Sequence, residues 1–277
     1  MSGTLVVGAI APHGELALAQ ACDAGTAHLA PRSQDALVDL AQRVLAARPT
    51  ALVVATPHNV HVTGHMAVVT AGWLAGVLED APVPLALRCR VDRDLALETG
   101  RRLREAGIPT VALSYGANTP SDAVAPLDWG ALVPLWHVMQ AAPDLPVVLV
   151  APARELDADA HRRTGGAIVR AARSLGRRIA LVASADQGHG HRPDGPYGFT
   201  PASAAFDARV ADIVRRGALG ELVAFDPAEV ADAVADSWWQ MVVLHGALEE
   251  DGAQFLPELL AYEVPTYYGM LTAVFTP

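Results

Sequence analysis

An α/β fold with a central, mostly parallel sheet and helices on both faces is what this sequence predicts. Three observations carry the prediction. Short apolar runs alternate with amphipathic ones along the chain. The apolar runs are rich in Val, Leu and Ile with little polar alternation, as strands covered on both faces require. No repeat period and no Ser/Gly-rich linker interrupts this order, so residues 1–277 are expected to form a single domain.

Taken in order, the expected strands are 4–10, 51–56, 66–70, 85–91, 110–114, 146–151 and 178–184. The expected helices are 33–47, 92–106, 157–175, 201–216 and 227–249. Ser33 and Thr200 stand where N-caps belong, and Pro201 follows at a first helical position. The tail 258–275 is aromatic and β-branched and reads as a closing hairpin.

Composition narrows the function classes. With 277 residues, 52% of them hydrophobic, the chain can bury a sizeable core. No apolar run reaches the roughly 18 residues of a membrane span. The start, MSGTLVVGAIAPHGE, lacks a basic segment before its apolar stretch, so a first strand is expected there and not a signal peptide. Cys22 and Cys89 are too few for a disulfide framework or a zinc cluster, which makes a cytoplasmic location the expectation. The net charge is -10 and the arginines fall in small groups, not in one stripe. That argues against a nucleic-acid partner, whose affinity would come from phosphate neutralisation. A homo-oligomer is compatible with this composition.

The histidines carry the chemistry. Of ten, three follow the end of an apolar run: His13 after TLVVGAIAP, His58 after ALVVATP and His189 after IALVASADQG. Open α/β sheets bind ligands at the carboxyl ends of their strands, so these three can meet in one cleft. Pro12 and Pro57 stiffen the chain as it leaves two of those strands, which suits a side chain that must be held for a metal. Gly188 and Gly190 flank His189 and are expected to permit a sharp turn.

The segments APHG, TPHN, LDWGALVPLW, VASADQGHGH with GPYGF, and LAYEVPTYYG occur in this order along nearly the whole chain. Together they resemble the class III extradiol ring-cleavage dioxygenase superfamily, in particular the branch similar to its catalytic subunits. That superfamily also contains the Memo-like proteins. The resemblance implies a site of two histidines and one carboxylate, a geometry that leaves open positions on Fe(II) for a chelating diol and O2. His13 and His58 match the two histidine ligands, and His189 matches the acid/base histidine beside the metal. The family's third ligand is a glutamate before an apolar helix ending in Gly-Ala-Leu. The corresponding stretch here, VADAVADSWWQMVVLHGALEE, offers Asp236 instead, with Glu263 in AYEVP as the competing carboxylate. Asp186 stands ready to orient the metal shell. His61 and His65 are candidates to line the cleft, His191 to share the acid/base role, and Tyr197, Tyr267 and Tyr268 to meet an aromatic ring. Asp128 and Trp129 occupy the place where several family members carry Asp-His. His245 is expected to be structural.

What the resemblance implies is an Fe(II)-dependent, or otherwise divalent-metal-dependent, dioxygenase that opens a catechol or aminophenol ring with O2. The alternatives are a Memo-like metal-binding protein without that activity and a metal-dependent hydrolase using the same ligands.

Overall fold

The computed structural model describes residues 4–277, so residues 1–3 of the expected domain lie outside the described residues. The elements run β1 Leu5–Ala11, α1 Pro31–Ala46, β2 Ala51–Ala55, β3 Met66–Val69, β4 Trp73–Leu78, β5 Leu85–Arg90, α2 Arg93–Glu105, β6 Thr110–Leu113 and β7 Val124–Pro126. They continue α3 Trp129–Ala141, β8 Val147–Ala151, α4 Ala158–Ser174, β9 Ile179–Ser184, α5 Pro201–Arg216, α6 Pro227–Asp232, α7 Trp238–Asp251, β10 Leu256–Glu263 and β11 Met270–Thr276.

The main sheet has the order β10-β11-β1-β9-β2-β8-β3-β6. Its centre is parallel: β1 with β9, β9 with β2, and β2 with β8. Every residue of β1, β2, β8 and β9 is buried, which is why these strands read as unbroken apolar runs. Helices α1 and α3 pack together on β1 and β9, while α2, α4 and α7 pack together, with α7 also lying on β1 and β9. The tail is the expected hairpin, β10 and β11 pairing antiparallel and β11 continuing onto β1. No helix among the described residues is long and apolar enough to cross a membrane.

Four expectations need correction. The strand at 85–91 exists as β5 but belongs to a separate three-stranded sheet, β5-β4-β7, whose other two strands the sequence reading missed. Helix α3 was also missed, because it is almost uniformly apolar and contains Pro134, so it shows neither helical periodicity nor an uninterrupted helix-former run. Ser33 is no N-cap. Helix α1 opens on Pro31, and Ser33 lies within its first turn, where its backbone N–H and hydroxyl donate to Glu263 at 2.8 and 2.9 Å. Finally, the helix expected at 227–249 is broken. Helix α6 stops at Asp232, α7 starts at Trp238, and Val234 between them has φ of +49°. Thr200 does cap α5, accepting from the Ala202 N–H at 3.2 Å.

Candidate metal centre

Three neighbouring parallel strands end at one edge of the main sheet, and each delivers a histidine. His13 follows β1, His189 follows β9 and His58 follows β2, in the sheet order β1-β9-β2. The break between α6 and α7 brings Asp236 to the same edge. In the break this aspartate is only 9% exposed.

The nitrogens and oxygen that face one another lie within reach of one ion. His13 Nε2 is 3.2 Å from His58 Nε2, and Asp236 Oδ2 is 3.4 Å from each of them. Ligands on bonds of about 2.1 Å sit roughly 3.0–3.4 Å apart in six- or four-coordinate geometry, so the spacing fits a single divalent cation. Two imidazole nitrogens pointed at each other beside a carboxylate also need a cation or proton between them. Asp236 Oδ1 is buried with no hydrogen-bond partner, a free acceptor of the kind a metal satisfies. These three residues form the one such cluster found among the described residues.

The surrounding bonds set the tautomers. The Ser184 hydroxyl donates to the carbonyl of Gly130, so at 3.0 Å it accepts from His13 Nδ1–H. In the neutral imidazole that a metal would bind, this leaves the His13 Nε2 lone pair facing Asp236 and His58; without a metal, Nε2 carries a proton between the carboxylates. His189 Nδ1–H likewise donates to the Val234 carbonyl at 3.0 Å, which leaves its Nε2 free. Two residues that hold the site have left-handed backbone, Asn59 just after His58 (φ +72°) and Val234 just before Asp236. For a β-branched valine this conformation is strained, and here it orients a carbonyl onto His189.

Burial and charge oppose each other at the ligands. Burial alone would lower the pKa of His13, but Asp186 and Asp236 beside it raise it to about 9. Burial would raise Asp236, yet His13 and His58 hold it well below the usual carboxylate range. Asp186, fully enclosed and 3.4 Å from His13 Nε2, is pushed up chiefly by burial. Its other oxygen accepts the backbone N–H of His13 at 3.1 Å, so it orients that ligand from both ends.

A cleft of about 780 Å³ opens on these groups, with Trp129, Tyr197, Tyr267 and Tyr268 among its walls. That volume is in the range of small-molecule sites. Tyr268 stacks on His189, ring centroids 5.5 Å apart, and Trp129 lies 4.8 Å from the His58 ring. Burial raises the pKa of Tyr268, so it remains a phenol.

Of the candidates read from sequence, His13, His58, Asp186, His189, Tyr197, Asp236, Tyr267, Tyr268 and Trp129 converge on the cleft. Glu263 does not; it is spent on Ser33 and on Arg32, whose Nε donates to it at 3.1 Å. His61 pairs with Glu155 at 3.1 Å on the surface, and the His65 ring faces the Thr63 carbonyl at 2.9 Å. His191 is engaged by buried Asp207 at 2.9 Å. Asp128 accepts the Asn59 N–H and so braces the turn after His58. Sequence reasoning missed Ser184 and Gln240, whose amide donates to the Ser184 and Asp236 carbonyls at 2.9 and 2.6 Å. A polar residue closing the apolar β9 run was the available signal for Ser184; Gln240 had none.

A protein from Clostridium acetobutylicum, Protein CA_C1420, is similar over 225 residues at 24% identity, covering 81% of this chain. The chain spans about half the length of that curated relative, 47%. The uncharacterized protein JW3007 from Escherichia coli K12 has a similar fold, with a TM-score of 0.60 at 18% identity, over 97% of this chain and 99% of the other. The family model described as the catalytic LigB subunit of aromatic ring-opening dioxygenase matches residues 9–275, nearly the whole chain. The chain belongs to the LigB family.

Proposed function

We propose that this protein is an Fe(II)-dependent extradiol dioxygenase that opens a catechol or aminophenol ring with O2. In this reading His13, His58 and Asp236 hold the metal, His189 is the acid/base group, and residues 1–277 act as one catalytic unit. The observation that carries it is the set of three donors, 3.2 and 3.4 Å apart, with a free buried oxygen on Asp236. Family membership supports the reaction class.

When bound, such a metal supplies Lewis acidity that lowers the pKa of a chelated hydroxyl, and as Fe(II) it supplies the redox chemistry that O2 requires. The protein's own groups do the rest. His189 Nε2 holds a lone pair because Nδ1–H is committed to Val234, so it can take the second hydroxyl proton of the substrate and later return it. Trp129, Tyr197 and Tyr267 offer faces for an aromatic ring. Ser184 at Nδ1 and Asp186 beside Nε2 keep the His13 ring from turning.

The test is metal analysis after anaerobic reconstitution with Fe(II), followed by oxygen uptake over a panel of catechols and 2-aminophenol. One metal per chain and a substrate-dependent uptake are expected. A metal-loaded protein inert across the panel would favour the Memo-like or hydrolase alternative, and a protein that takes up no metal would overturn the reading. His189→Ala should keep its metal and still bind a catechol while turnover falls roughly 10²–10⁴-fold, the range for removing a positioned acid/base group. Loss of metal in that variant would make His189 a ligand instead.

A further inference from the structure

We infer that the face of α5 carrying Ser203 and Asp207 positions His189, with Asp207 as the central positioning residue; this rests on the acid/base role proposed for His189. Asp207 is completely buried. None of its hydrogen-bond or ion-pair partners is an arginine. Its Oδ1 accepts the Gly188 N–H at 2.7 Å. Its Oδ2 accepts the Tyr262 hydroxyl at 2.7 Å and faces His191 Nε2 at 2.9 Å. Burial and the adjacent carboxylate push Tyr262 up, so its proton stays on the phenol and the bond keeps its direction. Asp207 therefore grips Gly188, just before His189, and His191, two residues after it, and ties both to β10.

Ser203, one helical turn earlier, closes the other side. Its Oγ accepts the Gly190 N–H at 2.8 Å, and its hydroxyl donates to the Ala233 carbonyl at 2.8 Å. That carbonyl precedes Val234, which receives His189 Nδ1–H, and Val234 leads to Asp236. Residues 203 and 207 share one helix face, so a single rigid surface sets both the His189 turn and the break that bears Asp236. Neither Gly188 nor Gly190 has positive φ, so the turn does not need their backbone freedom. It needs their missing side chains: a Cβ on Gly188 would lie 2.7 Å from Ser203 Cβ, and one on Gly190 2.9 Å from Ser203 Oγ. A buried carboxylate is costly to enclose unless it is fully bonded, and two of its three bonds here go to the segment that aims one imidazole.

The test combines Asp207→Asn and Ser203→Ala with two readouts. The first is long-range nitrogen–proton NMR of the His189 ring in the protein as purified, with and without added Zn(II). Wild type should show a single Nδ1–H tautomer, and each variant averaged shifts from a ring no longer held. This readout does not depend on turnover, so it stands even if the dioxygenase reading fails. The second is steady-state kinetics of the Fe(II)-loaded enzyme, where kcat should fall roughly 10- to 100-fold, the usual cost of losing such an outer partner. Iron content and KM should stay near wild type. If Asp207→Asn does not fold, Ser203→Ala, which removes one hydroxyl, decides. A folded variant that keeps the wild-type ring signals and kcat overturns the inference.

Discussion

The turns at the edge of β1, β9 and β2 and the interface between α4 and α7 are both buried, yet they are built from opposite materials. The first region encloses His13, Asp186 and Asp236, strains Val234 and leaves Asp236 Oδ1 without a partner. The second is mainly apolar: Gly165, Ala167, Ile168 and Ala172 of α4 and Val243, Gly246 and Ala247 of α7 are buried. Helices so stripped of side chains approach backbone to backbone. One region stores unfavourable chemistry and the other supplies the packing that tolerates it, a division that separates stability from function along the chain.

The largest effect should come from the proposed metal ligands. His13→Ala and His58→Ala should each abolish metal binding, measured by metal content after reconstitution. Their metal-free stabilities should differ. His58 is half-buried in a strand-end loop, and its loss leaves Asp236 still paired with His13, so the cost should be small. Removing His13 deprives Asp186 and Asp236, each 3.4 Å from its Nε2, of their cationic neighbour, at a cost of about 1–3 kcal/mol. Equal unfolding midpoints for the two variants would show that the buried carboxylates do not depend on His13.

Next comes the helix interface. A methyl group at Gly246 would overlap the Arg162 carbonyl, and one at Gly165 the Val243 carbonyl, and backbone cannot move aside as a side chain can. Gly246→Ala or Gly165→Ala should destabilise by about 3 kcal/mol or somewhat more, the upper range for overpacking. The folded fraction should bind metal as wild type does. A variant of unchanged melting temperature would break the assignment of stability to this interface, and a fall in metal affinity would show the two regions to be coupled.

The smallest effect is a pH dependence seated in the same helix layer. His161 on α4 is fully buried, its Nδ1–H donates to the Asp157 carbonyl at 2.7 Å, and its Nε2 has no partner. Burial holds its pKa below the ordinary value. The unfolded chain then binds a proton at about pH 6.5 that the folded chain refuses. The stability contributed is full above that pH and declines as pH falls below it. Urea midpoints between pH 7.5 and 5.5 should drop less in His161→Leu than in wild type. Parallel slopes would assign the acid sensitivity elsewhere.

The amino-acid sequence by itself determined the central strands, because a strand buried on both faces must be a continuous apolar run. Thr200 and the Pro-His pairs were legible for a similar reason: a cap and a stiff strand exit depend only on adjacent residues. Tertiary structure alone decided which carboxylate reaches the histidines. Asp236 and Glu263 are equivalent by local chemistry, but the break at Val234 turns one inward while Ser33 and Arg32 capture the other from far away in sequence. It also decided that Asp207, an ordinary helix residue by pattern, is a buried hub, since its partners Gly188, His191 and Tyr262 come from other elements. Local periodicity and capping are written between neighbours. A helix break or a cluster of two histidines and a carboxylate depends on contacts between distant segments, and those exist only once the sheet has brought their ends together.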